Sequence, residues 1–192
     1  VFGYDMAVLA GDALMIFAFE TAAKALKLGA DPARVGRAIG LLAEKTGIYG
    51  MIGGQTVDVE LTGKPVSEEQ LDFIYRLKTG ALLEASMMIG AILAGADEDE
   101  IRKTESIATD VGLAFQIRDD ILDVVSSANV LGKPILSDEK NSKTTYVTLK
   151  GLEQAKTDVE EISHRAASAL ESLPGEKEFL KQLIEMLVNR EN

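Results

Sequence analysis

A ten-residue run, Phe115-Gln116-Ile117-Arg118-Asp119-Asp120-Ile121-Leu122-Asp123-Val124, sets three carboxylates inside an apolar, helix-compatible segment. Taking an ionised carboxylate out of water costs free energy unless a cation or good hydrogen bonds compensate it. On a helix, Asp119 and Asp123 stand one turn apart on one face, Asp120 lies beside them, and Gln116 lies one turn earlier. Hard oxygen donors in that arrangement suit divalent cations that also hold a phosphate group. A solvated acidic stripe is the competing account, and the apolar neighbours Phe115, Ile117, Ile121, Leu122 and Val124 argue against it. The run Asp97-Glu98-Asp99-Glu100 is different: it sits at a helix start, where the macrodipole favours acidic residues without any ligand.

The rest of the chain reads as helices punctuated by caps. A first helix runs from about Asp5 to Leu28, with Gly29 as its stop. Asp31-Pro32 is an N-cap followed by proline at the first helical position. From Glu44 to Leu61 the pattern stays apolar but carries Gly47, Gly50, Gly53 and Gly54, and Thr62-Gly63-Lys64-Pro65 is a turn. Ser67 with Gln70 and Asp97 with Glu100 match capping boxes. The first opens a helix that kinks or breaks at Gly80, followed by an apolar segment from Ala81 to Ala94; the second opens a long helix to about Val125. Residues 126–143 are polar and read as the one long loop, and helices from about Leu152 to Leu173 and after Pro174-Gly175 complete the chain. No alternating strand pattern or repeat period is present. The expectation is an all-α bundle forming a single domain over residues 1–192.

Bulk properties narrow the function. The 192 residues suffice for a real core, and a formal net charge of −11 argues against a nucleic-acid surface. With no cysteine, the chain has no disulfide, zinc-thiolate site or thiol nucleophile. Its apolar stretches, interrupted by Asp12 and Glu84, read as too short to span a bilayer, and no secretory leader is visible. A cytoplasmic location is the expectation. The start at Val1 suggests a fragment or a processed product.

Further candidates flank the acidic run. Lys78 and Thr79 precede a helix-breaking glycine, and an interrupted helix frees carbonyls that can face a cavity. Lys133, Lys140 and Lys143 follow the acidic run and suit neutralisation of a polyanion. Gln55 and Asp58, three apart on one helix, are candidates to face inward. The glycines of Gly50-Met51-Ile52-Gly53-Gly54 fit close helix packing better than a phosphate loop, since no strand precedes them and no Walker lysine follows. His164 reads as exposed, and Met87 and Met88 as core.

Taken in order, Gly53-Gly54-Gln55-Thr56-Val57-Asp58, Lys78-Thr79-Gly80, Gly112 through Asp123, Leu131-Gly132-Lys133 and Ser142-Lys143-Thr144-Thr145-Tyr146 resemble successive motifs of the trans-isoprenyl diphosphate synthases, the polyprenyl synthetase family. The resemblance is strongest to bacterial farnesyl and geranylgeranyl diphosphate synthases and covers essentially the whole chain. It implies a helical bundle around a central cavity. It also implies head-to-tail transfer of an allylic diphosphate onto isopentenyl diphosphate, giving a short-chain prenyl diphosphate with Mg2+ as cofactor. By the same resemblance, Asp119, Asp120 and Asp123 match the second aspartate-rich motif, which holds magnesium. Lys78, Lys133 and Lys143 match lysines near the allylic diphosphate. Thr79 and Gln116 match groups that face the carbocation, and Gln55 and Asp58 match a supporting pair lining the same cavity. A homodimer is implied, with the apolar helix from Ala7 to Phe19 as a plausible interface.

The resemblance departs in one respect. The family's first aspartate-rich motif, its arginines and the N-terminal isopentenyl diphosphate ligands are absent. The expectation is therefore a C-terminal portion that lacks the N-terminal helices and is inactive alone. Two alternatives are weaker. A non-catalytic partner subunit is disfavoured by the intact second motif. A terpene cyclase is disfavoured because positions 119–127 do not match Asn/Asp-x-x-Ser-x-x-x-Glu.

Overall fold

The computed structural model describes residues 2–131 and 144–189, with side chains placed over 2–125 and 144–188. Every element among them is helical. Helix α1 spans Tyr4–Ala23 and tightens into a 3-10 turn at Lys24–Lys27. Helix α2, Pro32–Thr46, starts where Asp31 accepts the backbone N–H groups of Ala33 and Arg34 at 2.8 and 3.0 Å. Those bonds hold the Asp31 carboxyl below the ordinary carboxylate range, the Arg34 amide contributing most. Helix α3 is Met51–Glu60.

Helix α4, Glu68–Tyr75, begins with the expected Ser67/Gln70 capping box. Gly80 does not break the chain's helical course. A π-helical turn, Arg76–Gly80, leads directly from α4 into α5, Ala81–Ala94. Asp97 and Glu100 then cap α6, whose 34 residues, Glu98–Leu131, run past the expected end near Val125. Residues 126–131 of the expected loop are thus helical, and residues 132–143, with Lys133, Lys140 and Lys143, lie outside the described residues. A short α7, Tyr146–Lys150, was not expected; Thr145 and Thr148 cap it reciprocally. Helices α8, Leu152–Glu171, and α9, Glu178–Asn189, complete the chain.

The core forms around α6. Its buried positions Ile107, Val111, Ala114, Ile117 and Ile121 recur at helical spacing and meet Ala155, Val159, Ile162, Ala166 and Leu170 of α8, with Ile184 and Val188 of α9 closing one end. At 100° per residue, Gln116, Asp119, Asp120 and Asp123 fall within roughly a 100° arc on the opposite side of α6. One helix thus presents an apolar face to α8 and an acidic face away from it. A second cluster, Ala38, Met88, Ile92 and Ile101, joins α2, α5 and the start of α6. A third, Leu71, Ile74 and Tyr75, lies under α3. His164 is exposed and Met88 buried, as expected.

Two helical stretches, Tyr4–Lys27 and Glu68–Ala94, are long and apolar enough to cross a membrane by length and composition, so the sequence reading underestimated their length. The second is a core element, with Glu84 buried and ion-paired to Lys45. No residue of α1 is buried, and it displays Leu9, Leu14, Ile16 and Phe17 among other large apolar side chains.

Close backbone approach organises the middle of the bundle. A Cβ on Gly54 would collide with the backbone nitrogen of Lys78 and lie 2.7 Å from Cβ of Leu77. One on Gly112 would lie 3.0 Å from Cα of Gly80. These two glycines let α3 and α6 seat against the π turn, which is the close helix packing expected at Gly54, whereas a Cβ on Gly50 or Gly53 would meet the backbone of Lys45 or Ile48 in the preceding turn. Gly54→Ala is expected to lower stability by about 1–3 kcal/mol, because the obstructing atoms are mainly backbone and overpacking outweighs the helix-propensity gain. Urea unfolding would show it; an unchanged or raised midpoint would mean that α3 can shift at little cost.

Candidate active site

The acidic face of α6 lines a cavity of about 550 Å3. Asp119, Asp120, Asp123 and Gln116 form one wall, Asp58 and Lys78 a second, and Leu61, Val66, Leu71 and Ile74 supply apolar surface. The turn after α3 contributes Thr62, Gly63 and Lys64, and the segment before α7 contributes Thr144 and Thr145.

Asp58 and Lys78 are joined by an ion pair of 2.6 Å. The π turn presents Lys78 there, and π turns inside α-helices recur at functional sites. The pair fixes the ammonium beside the acidic wall with its charge matched. Two members of the expected set are placed differently. Gln55 is exposed and does not line the cavity. Gly54 is the buried, inward position of α3, so Gln55 is turned about 100° away from it, whereas Asp58 returns to within about 40°. Thr79 is half-buried and also absent from the cavity lining.

Three groups at the site are given no role by the sequence. Tyr75, only 8% exposed, donates its hydroxyl to Oδ2 of Asp120. The backbone N–H of Tyr146 donates to the same oxygen at 2.7 Å. Burial first, then the charge of Asp120, pushes the Tyr75 phenol far above the ordinary tyrosine range, so it stays a donor. The Tyr146 hydroxyl, likewise raised by burial and then by Asp158, donates to Asp158 at 2.7 Å. The third group, Lys64, brings an ammonium to the rim from a turn that reads in sequence as connection only.

Four carboxylates and two ammonium groups line the cavity. An anionic ligand would meet net repulsion there unless a cation accompanied it. Among the described residues no three acidic or imidazole side chains converge into a ready-made cage. The donors nevertheless fit Mg2+: all are hard oxygens on one wall, and Mg2+ binds through one or two carboxylates while keeping water and phosphate oxygens as its other ligands.

The polyprenyl synthetase family model matches residues 1–187. The chain is 43% identical over 181 residues to the large subunit 1 of a heterodimeric geranylgeranyl pyrophosphate synthase of Arabidopsis thaliana, covering 92% of this chain and 49% of that protein. It is 42% identical over 156 residues to the farnesyl diphosphate synthase of Geobacillus stearothermophilus, covering 81% of this chain and 52% of that protein. Among solved structures it is similar to a Helicobacter pylori geranyltransferase complexed with magnesium and isoprenyl diphosphate. That match has a TM-score of 0.75 and 31% identity, covering 95% of this chain and 59% of that one. The chain spans about half the length of these curated relatives.

Proposed function

This chain belongs to the polyprenyl synthetase family, and we propose that the protein carrying it condenses an allylic diphosphate with isopentenyl diphosphate, using Mg2+. The observation that carries the reading is a single cavity with an acidic wall, a paired lysine and an apolar side. Such a cavity suits a ligand with an anionic head and a hydrocarbon tail.

Asp119, Asp120 and Asp123 are the residues that would hold Mg2+. Bound there, the ion supplies positive charge to a diphosphate leaving group. Lys78 adds a second, fixed charge, and its pairing with Asp58 keeps it oriented before the ligand arrives. Gln116, on the same face of α6 as the carboxylates, offers an amide dipole to positive charge on the allylic carbons. Leu61, Val66, Leu71 and Ile74 receive hydrocarbon and exclude water, which protects a carbocation from capture. Lys133 and Lys143 are assigned to the diphosphate by family resemblance.

Relatives named as geranylgeranyl and farnesyl diphosphate synthases support the reaction class. A homodimer is the proposed assembly, with the exposed apolar sides of α1 as the surface it would use. One similar protein is a subunit of a heterodimeric enzyme, which favours an unlike partner as the second assembly.

The test is to incubate the full-length protein that carries this chain with Mg2+, isopentenyl diphosphate and allylic diphosphates of several lengths, and to analyse the products. Elongated prenyl diphosphates are expected. No elongation alone, but elongation restored or redirected by a second synthase chain, would support a partner subunit instead; a cyclic hydrocarbon would point to a cyclase.

A further inference from the structure

Two stretches of chain at the rim of the cavity are docked on each other. One is the turn between α3 and α4, which supplies Thr62, Lys64 and Val66; the other is the segment before α7, which supplies Thr144 and Thr145. The Val66 N–H donates to the Thr144 hydroxyl at 3.4 Å, and Lys150 at the end of α7 pairs with Glu68 at the start of α4 at 2.5 Å. Short-range bonds set the turn itself. The Thr62 hydroxyl donates to the Asp58 carbonyl at 3.1 Å, and the Lys64 N–H donates to the Leu61 carbonyl at 3.0 Å. Gly63 takes a φ of 74°, which suits glycine, and Pro65 restricts the backbone that follows. The backbone that carries Lys64 is therefore held at the rim, one turn beyond Asp58.

Among the described residues two lysines line the cavity, and their states differ. Lys78 is committed to Asp58 at 2.6 Å. The Lys64 side chain is exposed and makes no hydrogen bond or ion pair with the described residues. An exposed lysine in a turn is ordinarily a solvated charge with no ligand. Lys64 differs because its turn is fixed at a cavity that the prenyl-transfer reading gives to an anionic head. A diphosphate drawn to a cation on the α6 wall enters the field of an ammonium that leaves no protein partner behind to receive it.

We propose that Lys64 is a diphosphate-binding residue, which captures the anionic head at the rim and adds its charge to that of Lys78. This rests on the prenyl-transfer reading and deepens it by one cation. The ammonium is exposed, so it acts chiefly by attraction at a distance. A rim charge of that kind governs association and salt dependence, whereas a buried pair governs dissociation. Removing the charge leaves the turn intact, because the bonds that set it come from main-chain groups and from Thr62.

The test is Mg2+-dependent binding of inorganic diphosphate, by calorimetry, to the full-length protein that carries this chain. Lys64→Gln is expected to weaken binding about 10-fold at low salt, the lower end for a hydrogen bond to a charged group. The difference should shrink at about 0.5 M salt, where exposed charges are largely screened. Lys64→Arg should stay close to the unsubstituted protein, since attraction at a distance needs the charge and no particular donor geometry. Lys103→Gln removes the same charge from an exposed position of α6 outside the cavity lining and should also stay close. In turnover, Lys64→Gln should raise the KM for the allylic diphosphate and leave kcat nearly unchanged, the signature of lost uniform binding.

If Lys64→Gln binds diphosphate as Lys103→Gln does, the role of Lys64 is overturned and the prenyl-transfer reading stands. A loss that Lys64→Arg shares, or that high salt leaves undiminished, overturns it too, because the turn and not the charge would then be responsible. If the unsubstituted protein binds no diphosphate with Mg2+, the prenyl-transfer reading falls and this assignment falls with it.

Discussion

If the proposed prenyl transfer holds, replacing Asp119 by alanine in the full-length protein that carries this chain is expected to lower turnover by roughly 10²–10³-fold, the scale seen when a group that stabilises developing charge is removed. The fold should be retained. Asp119 lies on the side of α6 that lines the cavity, opposite the face packed on α8, so alanine removes nothing from the core formed by Ile107, Val111, Ala114, Ile117 and Ile121. The loss is a carboxylate from the wall that would carry the cation, and the effect should be largest at limiting Mg2+. Steady-state kinetics across a Mg2+ series, with circular dichroism and melting on the same sample, would check both parts. Turnover close to that of the unsubstituted protein refutes the metal role. A matching loss of melting temperature would mean that Asp119 is a structural residue and the kinetic effect indirect.

Legibility in the sequence tracks the range of the interactions involved. Asp31, Ser67/Gln70 and Asp97/Glu100 are legible because a cap is settled within four residues. The acidic face of α6 is legible because helical periodicity places Asp119, Asp123 and Gln116 together without reference to the rest of the chain. The π turn is not, since Arg76–Gly80 is compatible with an ordinary helix or a break. Its conformation accompanies the seating of Gly54 and Gly112 against it, contacts made by α3 and α6.

The same limit explains Tyr75 and Tyr146. They meet Asp120 from 45 and 26 positions away, and neither residue type signals a carboxylate partner. Helix α7 was hidden for a smaller reason: its reciprocal cap uses Thr148 where glutamate or glutamine is the usual signature. Gln55 is the reverse case. A motif match suggested an inward side chain, and the rotation of α3 about its buried Gly54 turned it out.

The largest stability effect is expected at Lys45. Its ammonium reaches from the last turn of α2 to Glu84 of α5 at 2.5 Å and to Glu105 of α6 at 2.7 Å, and Thr109 donates to the other oxygen of Glu84 at 2.7 Å. Glu84 is 7% exposed within an apolar helix, so its charge depends on these partners. Lys45→Met keeps the length of the side chain and removes the charge, leaving a buried carboxylate with Thr109 as its remaining donor in this network. Breaking such a pair from one side costs about 3–5 kcal/mol. Lys45→Met with Glu84→Leu should recover much of that loss, since no buried charge is then stranded. If Lys45→Met costs less than about 1 kcal/mol, the network behaves as a surface pair.

The pH dependence gives an independent check. Burial opposes the charge of Lys45, but Glu105 and Glu84 outweigh it and hold the ammonium above its ordinary value of 10.5. The folded-state value is thus higher than the unfolded one. The contribution is complete below about pH 10.5 and is lost as pH rises through the raised value. The stability gap between the unsubstituted protein and Lys45→Met should therefore narrow as pH rises into the strongly alkaline range. The effect should reach the cavity as well. The turn after α2 folds Gly50 back onto the Lys45 carbonyl, where any Cβ would overlap it, and α3 with Asp58 comes directly after. A loosened end of α2 would shift Asp58 and the ammonium of Lys78 paired with it, so, if the proposed function holds, Lys45→Met in the full-length protein should raise the KM for the allylic diphosphate under conditions where the protein remains folded.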